Sequence, residues 1–383
     1  MNRAVLMSMF VLVLMAGLTA YMIVSQPSIQ YTSPSASTSE RTSPQTGGPS
    51  TSLEPVIIVD ALNRTVVLSK PPEKVAIVGK GSRYLIEAAY MFATAPRKTV
   101  ALDSSSTENP VLRLRDPDLS TKTLFSGFPS AEELLKLRPD LIVLKSSFMS
   151  QGRVYEEAGL RVIYVDVETP DQFYMAVSTL GKVFGEEVRA TELTNFFRNM
   201  TRLVEGKLEG LTVKPTTLFI YYDAVRDKVV KAPPAGYLQS VLVEMAGGKS
   251  VNKELPGSSA QPVSLEQIIT WNPNVLFIAT YSNDPSPVDY VRQVLSSSEW
   301  RNVAAVRDGR VYPIPGGPYS WDMPGPKWTL CLIYMAKAIH PDRFADVSVR
   351  NITVDFYAKV YELNPADAEE MASRDLEGIK WLG

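Results

Sequence analysis

A chain of 383 residues, 45% of them hydrophobic, is long enough for more than one domain with a sizeable core. The formal net charge of −2 offers no basic surface for nucleic acid. One cysteine and one histidine exclude a disulfide framework, a cysteine-based metal site and a multi-histidine zinc site. We expect Cys331 to be a buried small hydrophobe and His340 to lie at a helix end.

The N-terminus carries a candidate membrane segment. Arg3 precedes an uncharged, mostly apolar run over residues 4–24. A bilayer-spanning helix needs about 20 such residues, whereas the core of a signal peptide has about 7–15. We therefore expect residues 1–24 to be a retained anchor that places the rest of the chain outside the cytoplasm, at the cell surface. The alternative is a cleaved signal segment and a secreted protein.

Ser, Thr and Pro dominate residues 25–54. Such a composition cannot bury enough apolar surface to offset the entropy cost of ordering. We expect a disordered or extended stalk between the anchor and the folded part.

The folded part is expected to open with a β-hairpin, because VIIVDALNRTVVLS places two apolar runs around a turn at residues 60–63. A strand over 75–78, a loop over 79–82 and a helix from Tyr84 follow. Lys80, Ser82 and Arg83 make this loop a candidate anion site, because amides at a helix start point outward. The alternative is an ordinary strand-to-helix turn. With strands near 100–102 and 162–165, these elements predict a first lobe over residues 55–168.

One unit occurs twice without a gap, as PSAEELLKLRPDLIVL over 129–144 and VSLEQIITWNPNVLFI over 263–278. Ser130 with Glu133, and Ser264 with Gln267, predict a capping box at the start of a short helix. A proline then ends the helix, and a continuous apolar run is typical of a strand buried on both faces. The duplication predicts two similar α/β lobes.

Between the copies, residues 169–210 show helical periodicity for more than 35 residues. This pattern predicts an inter-lobe connector, either one long helix or two helices with a kink near Gly185. A second lobe with a helical tail is expected over residues 211–383.

Several segments in combination resemble a known family: DALNRTV, the following PEKVAIV, the repeated helix–Pro–strand unit with LRPDLIVL, and GGPYSWDMPGPKWTLCLIYMAKAIHPDRF. They are similar to the substrate-binding proteins of ABC importers, in the class that handles iron–siderophore complexes, haem and cobalamin. The resemblance covers residues 55–362. Asn63 departs from it, because the family usually has glycine there. The anchor and stalk resemble archaeal members rather than bacterial lipoproteins.

The resemblance implies an α/β fold of two Rossmann-like lobes joined by a single long α-helix, with a ligand cleft between them. It implies a receptor rather than an enzyme, whose partners are a small-molecule ligand and an ABC permease dimer with its ATPase. It further implies that Glu132 and Glu266, one per lobe, contact the permease. From sequence alone, each can equally be an acidic residue that favours a helix N-terminus. We expect a monomer without a resident cofactor, whose cargo contains iron or cobalt.

Candidate ligand-binding residues are those expected at strand ends and helix starts that face the cleft. In the first lobe these are Lys80, Ser82, Arg83, Tyr84, Ser146 and Ser147; in the second they are Tyr222, Tyr237, Tyr281, Tyr319 and Trp321. Aromatic rings with a few cations suit a bulky, flat or anionic metal chelate, such as a ferric siderophore, haem or a corrinoid.

Three alternatives remain open. Within the receptor class, the ligand can be an oxyanion such as molybdate or tungstate, held by amides and Arg83. Outside it, the chain can be an extracellular hydrolase or a surface adhesion module. No G-x-S-x-G elbow, HExxH motif or P-loop occurs in the sequence.

Overall fold

A computed structural model describes residues 55–222, 229–257 and 259–380. The expected anchor over 1–24 and the stalk over 25–54 lie outside these described residues. Within the described ranges, no helix is both long and apolar enough to cross a membrane.

The folded part opens with the predicted hairpin. Strands β1 (Val56–Val59) and β2 (Thr65–Leu68) pair antiparallel. Asn63 adopts φ 57° in the connecting turn, a left-handed conformation that asparagine tolerates better than most residues. This accounts for asparagine at a position where glycine was expected.

The first lobe is built on a parallel sheet in the order β5-β4-β3-β6-β7. Its strands are β3 (Val75–Ile77), β4 (Thr99–Asp103), β5 (Thr123–Phe125), β6 (Leu141–Leu144) and β7 (Val162–Tyr164). Its helices are α1 (Arg83–Ala89), α2 (Ala95–Lys98), α3 (Pro110–Arg115), α4 (Ala131–Leu137) and α5 (Met149–Glu157). All strands run the same way, so their carboxyl ends meet at one edge, which is the expected ligand edge.

Residues 169–210 form two helices, α6 (Pro170–Phe184) and α7 (Glu187–Leu208), separated at the left-handed Gly185. They do not run end to end. The rings of Phe173, in the first turn of α6, and Phe197, in the middle of α7, lie only 4.9 Å apart. The two helices therefore form an antiparallel pair. Of the two predicted alternatives, the structure has the two helices divided at Gly185, with a reversal of direction there rather than a kink. The 22-residue α7 is the long helix that connects the lobes.

The second lobe has a mixed sheet whose main path is β11-β9-β8-β12-β13. Its strands are β8 (Thr216–Tyr222), β9 (Val230–Ala232), β10 (Lys249–Ser250), β11 (Gln261–Pro262), β12 (Val275–Ala279) and β13 (Val311–Pro313). Its helices are α8 (Leu238–Met245), α9 (Leu265–Trp271), α10 (Pro287–Ser296), α11 (Ala304–Arg307) and α12 (Trp328–Ile339). Strands β10, β8, β12 and β13 are parallel, as in the first lobe.

The duplicated unit has the predicted structure in both copies: helix α4 precedes buried strand β6, and helix α9 precedes buried strand β12. The first copy forms a complete capping box between Ser130 and Glu133. In the second, the Ser264 hydroxyl accepts from the amide of Gln267, but among described residues the glutamine side chain returns no bond. The expected second capping box is therefore only half formed.

The C-terminal tail consists of α13 (Val349–Val360) and α14 (Pro365–Asp375). It contacts both lobes rather than the second alone. Arg115 of the first lobe pairs with Glu362 at 3.3 Å, while Asp375 accepts a bond from Trp321 of the second lobe at 2.7 Å. One apolar core runs continuously from the first lobe through α6 and α7 to α12 and the tail. Cys331 and the end of α12 at His340 lie where expected.

Candidate functional site

The loop after β3 turns sharply because two of its glycines have positive φ. Gly79 has φ 98° and Gly81 has φ 76°. A Cβ on Gly79 would lie 2.6 Å from the ring of Phe128, so only glycine fits at this position without a shift of its neighbours. This turn starts α1 with Arg83 and Tyr84 in its first turn, at the carboxyl edge of the sheet.

Arg83 and Tyr84 form a tight unit that reaches the other lobe. The Arg83 guanidinium donates to the Tyr84 hydroxyl at 2.7 Å and also lies over its ring, 4.7 Å from the centroid. The hydroxyl in turn donates to the sulfur of Met323 at 3.2 Å. Because Met323 belongs to the second lobe, this contact marks the place where the two lobes meet.

A pocket of about 10 Å³, with room for about one water molecule, lies at this junction. The first lobe contributes Arg83, Tyr84 and Glu87, and the second contributes Pro318, Tyr319, Ser320, Met323, Gly325 and Lys327. A site lined by both lobes of a two-lobed protein is the usual place for a ligand.

The charges around this pocket are incompletely paired. Within the described residues, no carboxylate oxygen lies within 4.0 Å of Arg83. Burial opposes its charge, but Tyr84 and Glu87 outweigh that effect and raise the pKa of Arg83, which stays protonated. Lys327 lies 3.8 Å from Asp375 and donates to the carbonyl of Tyr319. A half-buried guanidinium without a counterion is a site for an anion.

A buried polar network supports the second-lobe side. Asp322 accepts hydrogen bonds from the hydroxyl of Tyr281 at 2.7 Å, from the amide of Gln239 at 3.0 Å and from the hydroxyl of Ser320. Burial raises the pKa of Asp322 and that of Tyr281. These three hydrogen bonds occupy lone pairs of the Asp322 carboxylate. Because its partners are fixed, the network holds the backbone between Ser320 and Met323 in one position.

Three of the predicted ligand residues, Arg83, Tyr84 and Tyr319, line this pocket, and Tyr281 is bonded to Asp322 beside its second-lobe wall. Burial raises the pKa of Tyr319 to about 12, so this phenol is a neutral donor and acceptor at physiological pH. Ser82 is only 1% exposed, and within the described chain its hydroxyl has no partner.

Five other predicted residues do not line the pocket: Lys80, Ser146, Ser147, Tyr222 and Tyr237. Lys80 and Ser147 are exposed. The amide of Ser146 donates to Asp166 at 2.9 Å, and its hydroxyl bonds the same carboxylate. The ring of Tyr222 stacks on that of Tyr290, with 4.5 Å between the centroids, and Tyr237 is the residue directly before α8.

Trp321 is not placed to contact a ligand, so the prediction that it faces the cleft was wrong. Its side chain is 0% exposed, and its indole N–H donates to Asp375 at 2.7 Å. The ring therefore packs into the core and fixes the loop from behind rather than facing the cleft.

The sequence analysis missed three charged or apolar residues that line the pocket, Glu87, Met323 and Lys327, and two that lie beside it, Lys145 and Asp322. Lys145 lies 5.9 Å from the centroid of the Tyr84 ring and pairs with Glu168; burial lowers its pKa. One signal was present, because Glu87 follows Arg83 by four residues and so shares its helix face.

Glu132 and Glu266 are exposed and occupy equivalent positions, in the first turns of α4 and α9. Neither forms an ion pair within the described residues. A hydrogen bond from the Ser264 side chain lowers the pKa of Glu266, which keeps that carboxylate ionised. The described part of the chain holds no cluster of three or more His, Cys, Asp or Glu suited to a metal ion.

The model of the periplasmic binding protein family matches residues 94–317, more than half of the chain. Curated relatives include the molybdate-binding protein MolA of Haemophilus influenzae, 23% identical over 334 residues, which are 80% of this chain and 88% of that protein. Another is the achromobactin-binding periplasmic protein of Dickeya dadantii, 27% identical over 51% of this chain and 64% of that protein. A periplasmic solute binding protein from Veillonella parvula has the same fold, with a TM-score of 0.69 at 23% identity, over 84% of this chain and 97% of that structure.

The chain therefore belongs to the periplasmic binding protein family, which comprises the extracytoplasmic solute-binding proteins of ABC transporters. Two lobes, a long connecting helix and a pocket between the lobes agree with this membership.

Proposed function

We propose that the protein is a receptor that captures a metal chelate (a ferric siderophore, haem or a corrinoid) and delivers it to an ABC permease. The observation that carries the proposal is Arg83, a cation without a carboxylate partner between the lobes. Tyr84 and Tyr319 line the same pocket and give it aromatic surface. A cation among aromatic rings complements an anionic, organic chelate, because rings supply contact area and the guanidinium supplies charge.

The pocket is small for such a ligand. Its cavity of about 10 Å³ has room for about one water molecule, far below the roughly 300–1,000 Å³ of sites for organic ligands. Capture of a chelate then requires the lobes to separate, which breaks the contact between Tyr84 and Met323. The alternative ligand is an oxyanion such as molybdate or tungstate, held by Arg83, and a cavity of this size must open for that ligand too.

A thermal-shift screen of the full-length protein separates these ligand classes. Ferric siderophores, haem, corrinoids, molybdate and tungstate are added in turn, and the unfolding midpoint is followed. A ligand that binds only the native state stabilises it by RT ln(1 + [L]/Kd), about 2.7 kcal/mol at 100 times Kd. We expect a chelate to raise the midpoint by several degrees. A rise with oxyanions alone would contradict the chelate proposal.

We also propose that Glu132 and Glu266 dock the receptor onto its permease. Two exposed carboxylates at equivalent places of two similar lobes suit a partner with two-fold symmetry. Charge complementarity of this kind fixes the register between receptor and permease and speeds their encounter.

We further propose that residues 1–24 hold this monomeric receptor at the membrane, with residues 25–54 as the spacer.

A further inference from the structure

Arg83 and Glu87 stand one helical turn apart on α1, and both line the pocket. Opposite charges four residues apart on a helix usually attract and pair. Within the described residues, these two form no ion pair, and the guanidinium donates to the hydroxyl of Tyr84. The pocket thus presents a cation and a carboxyl group side by side, each with capacity left for a ligand.

The carboxyl group of Glu87 is held in place from one side only. It is 7% exposed, and its Oε1 accepts from the amide nitrogen of Asn109 at 2.8 Å. The oxygen of the same amide accepts from the backbone N–H of Val111, so the donor end of Asn109 must face Glu87. The other oxygen, Oε2, receives no hydrogen bond from a described residue and lies 3.5 Å from where a Cβ on Gly325 would be.

Because Arg83 and Glu87 line the same small pocket, an anion bound there by Arg83 would lie near this second oxygen. Two negative oxygens brought together in a buried pocket repel each other strongly unless a single hydrogen lies between them. The hydrogen can come from the ligand, as an O–H or N–H donor, or from the carboxyl group itself. Either way the bound state contains one shared hydrogen.

We propose that Glu87 is a specificity-determining residue: Arg83 receives the anionic group of the ligand, and Glu87 shares one hydrogen with it. This inference rests on the proposed receptor function and narrows its ligand class. The pocket selects a chelate whose anionic group lies beside an O–H or N–H donor. It discriminates against an inorganic oxyanion without a donor, which binds only when the carboxyl group takes up a proton.

Other charged and titratable groups also face Glu87. They are Arg83 and Tyr84 on α1, Tyr319 and Lys327 on the loop before α12, Tyr357 on α13, Tyr361 after α13, and Asp375 at the end of α14. Burial raises the pKa of each of the four tyrosines, so none of them titrates near neutral pH. Burial also raises the pKa of Glu87, against the opposing effect of Lys327 and Arg83, and so moves its titration towards neutral pH.

Molybdate is the probe, because near neutral pH it carries no hydrogen-bond donor. Its affinity for the full-length protein is measured by calorimetry between pH 6 and 8.5. In the wild type we expect the affinity to fall with rising pH, approaching tenfold per unit above the pKa of the carboxyl group. In Glu87→Gln, whose amide supplies the hydrogen at every pH, we expect a flat profile. Its binding at pH 8.5 should be at least about tenfold tighter than in the wild type.

Two further variants serve as controls for this measurement. Glu87→Met removes the charge without adding an amide, and should also give a flat profile. Glu157→Gln changes an exposed carboxylate of the same lobe and should behave as the wild type. The proposal is overturned if both Glu87 variants keep the wild-type pH profile. It is also overturned if neither Glu87 variant binds molybdate more tightly than the wild type at pH 8.5, which includes the case in which no protein binds molybdate.

The outcome is separable from that of the receptor proposal. If a chelate stabilises the protein while the Glu87 variants leave molybdate binding unchanged, the receptor function stands and the role of Glu87 fails. If no chelate binds but molybdate binding depends on Glu87, the chelate proposal fails and the role of Glu87 stands.

Discussion

Arg83 is a half-buried guanidinium between the two lobes, and within the described residues no carboxylate oxygen lies within 4.0 Å of it. It donates a hydrogen bond to the neutral hydroxyl of Tyr84. Its remaining N–H groups can bind an anionic ligand. Arg83 is therefore the residue at which the account of ligand recognition is easiest to test.

Replacing Arg83 by alanine should weaken an anionic ligand by roughly ten- to a hundredfold, since hydrogen bonds to charged groups contribute about 1.5–3 kcal/mol. Calorimetry with the ligand that stabilises the wild type measures this loss. Arg153→Ala is the matched control, because Arg153 is exposed on α5 and contacts only the sulfur of Met149 among described residues. Equal dissociation constants for the wild type and Arg83→Ala would remove Arg83 from the site.

At the scale of residues, the sequence analysis placed some residues at the pocket and misplaced Trp321, because an irregular loop carries no periodic signal. Arg83 and Tyr84 were recognisable because they follow a strand and a glycine loop. Trp321 and Tyr319 were grouped together because they share one irregular loop. No periodicity tells which side of such a loop faces the core, and Asp375, which bonds Trp321, lies 54 residues further along the chain.

At the scale of elements, the connector shows where periodicity loses information. A helical pattern of 3.6 residues looks the same whether two helices continue end to end or fold back on each other. The signal for folding back was Gly185, which ends α6 in the left-handed conformation with φ 73°. Glycine in this conformation is common directly after a helix. Close packing at the turn then depends on Gly181, because a Cβ there would lie 2.5 Å from the Cβ of Ala190.

Gly181→Ala should therefore destabilise the fold by roughly 1–3 kcal/mol, since an added methyl group in a close contact forces the helices apart. Gly206→Ala is the opposite case. Gly206 lies within α7 with nothing within 4 Å of an added Cβ, so alanine should stabilise the helix by about 0.5–1 kcal/mol. Urea unfolding measures both changes. If Gly181→Ala proved as harmless as Gly206→Ala, the antiparallel packing would be wrong.

At the scale of the molecule, the duplicated unit made the two-lobed fold predictable, because each copy contains a complete helix, turn and buried strand. The tail was not predictable in the same way. Its contacts with both lobes depend on ion pairs and hydrogen bonds between residues far apart in sequence, such as Arg115 with Glu362.

The central claim is that the two lobes together present a ligand and two acidic contacts to a permease. Its most direct test is uptake of the identified ligand by vesicles that contain the cognate permease and ATPase, supplied with Glu132→Arg/Glu266→Arg. We expect uptake to be abolished while the ligand dissociation constant stays unchanged, because both carboxylates are exposed and lie outside the pocket. The control is Glu157→Arg/Glu299→Arg, which reverses two exposed carboxylates outside the duplicated units and should transport normally. Wild-type uptake by Glu132→Arg/Glu266→Arg would contradict the claim.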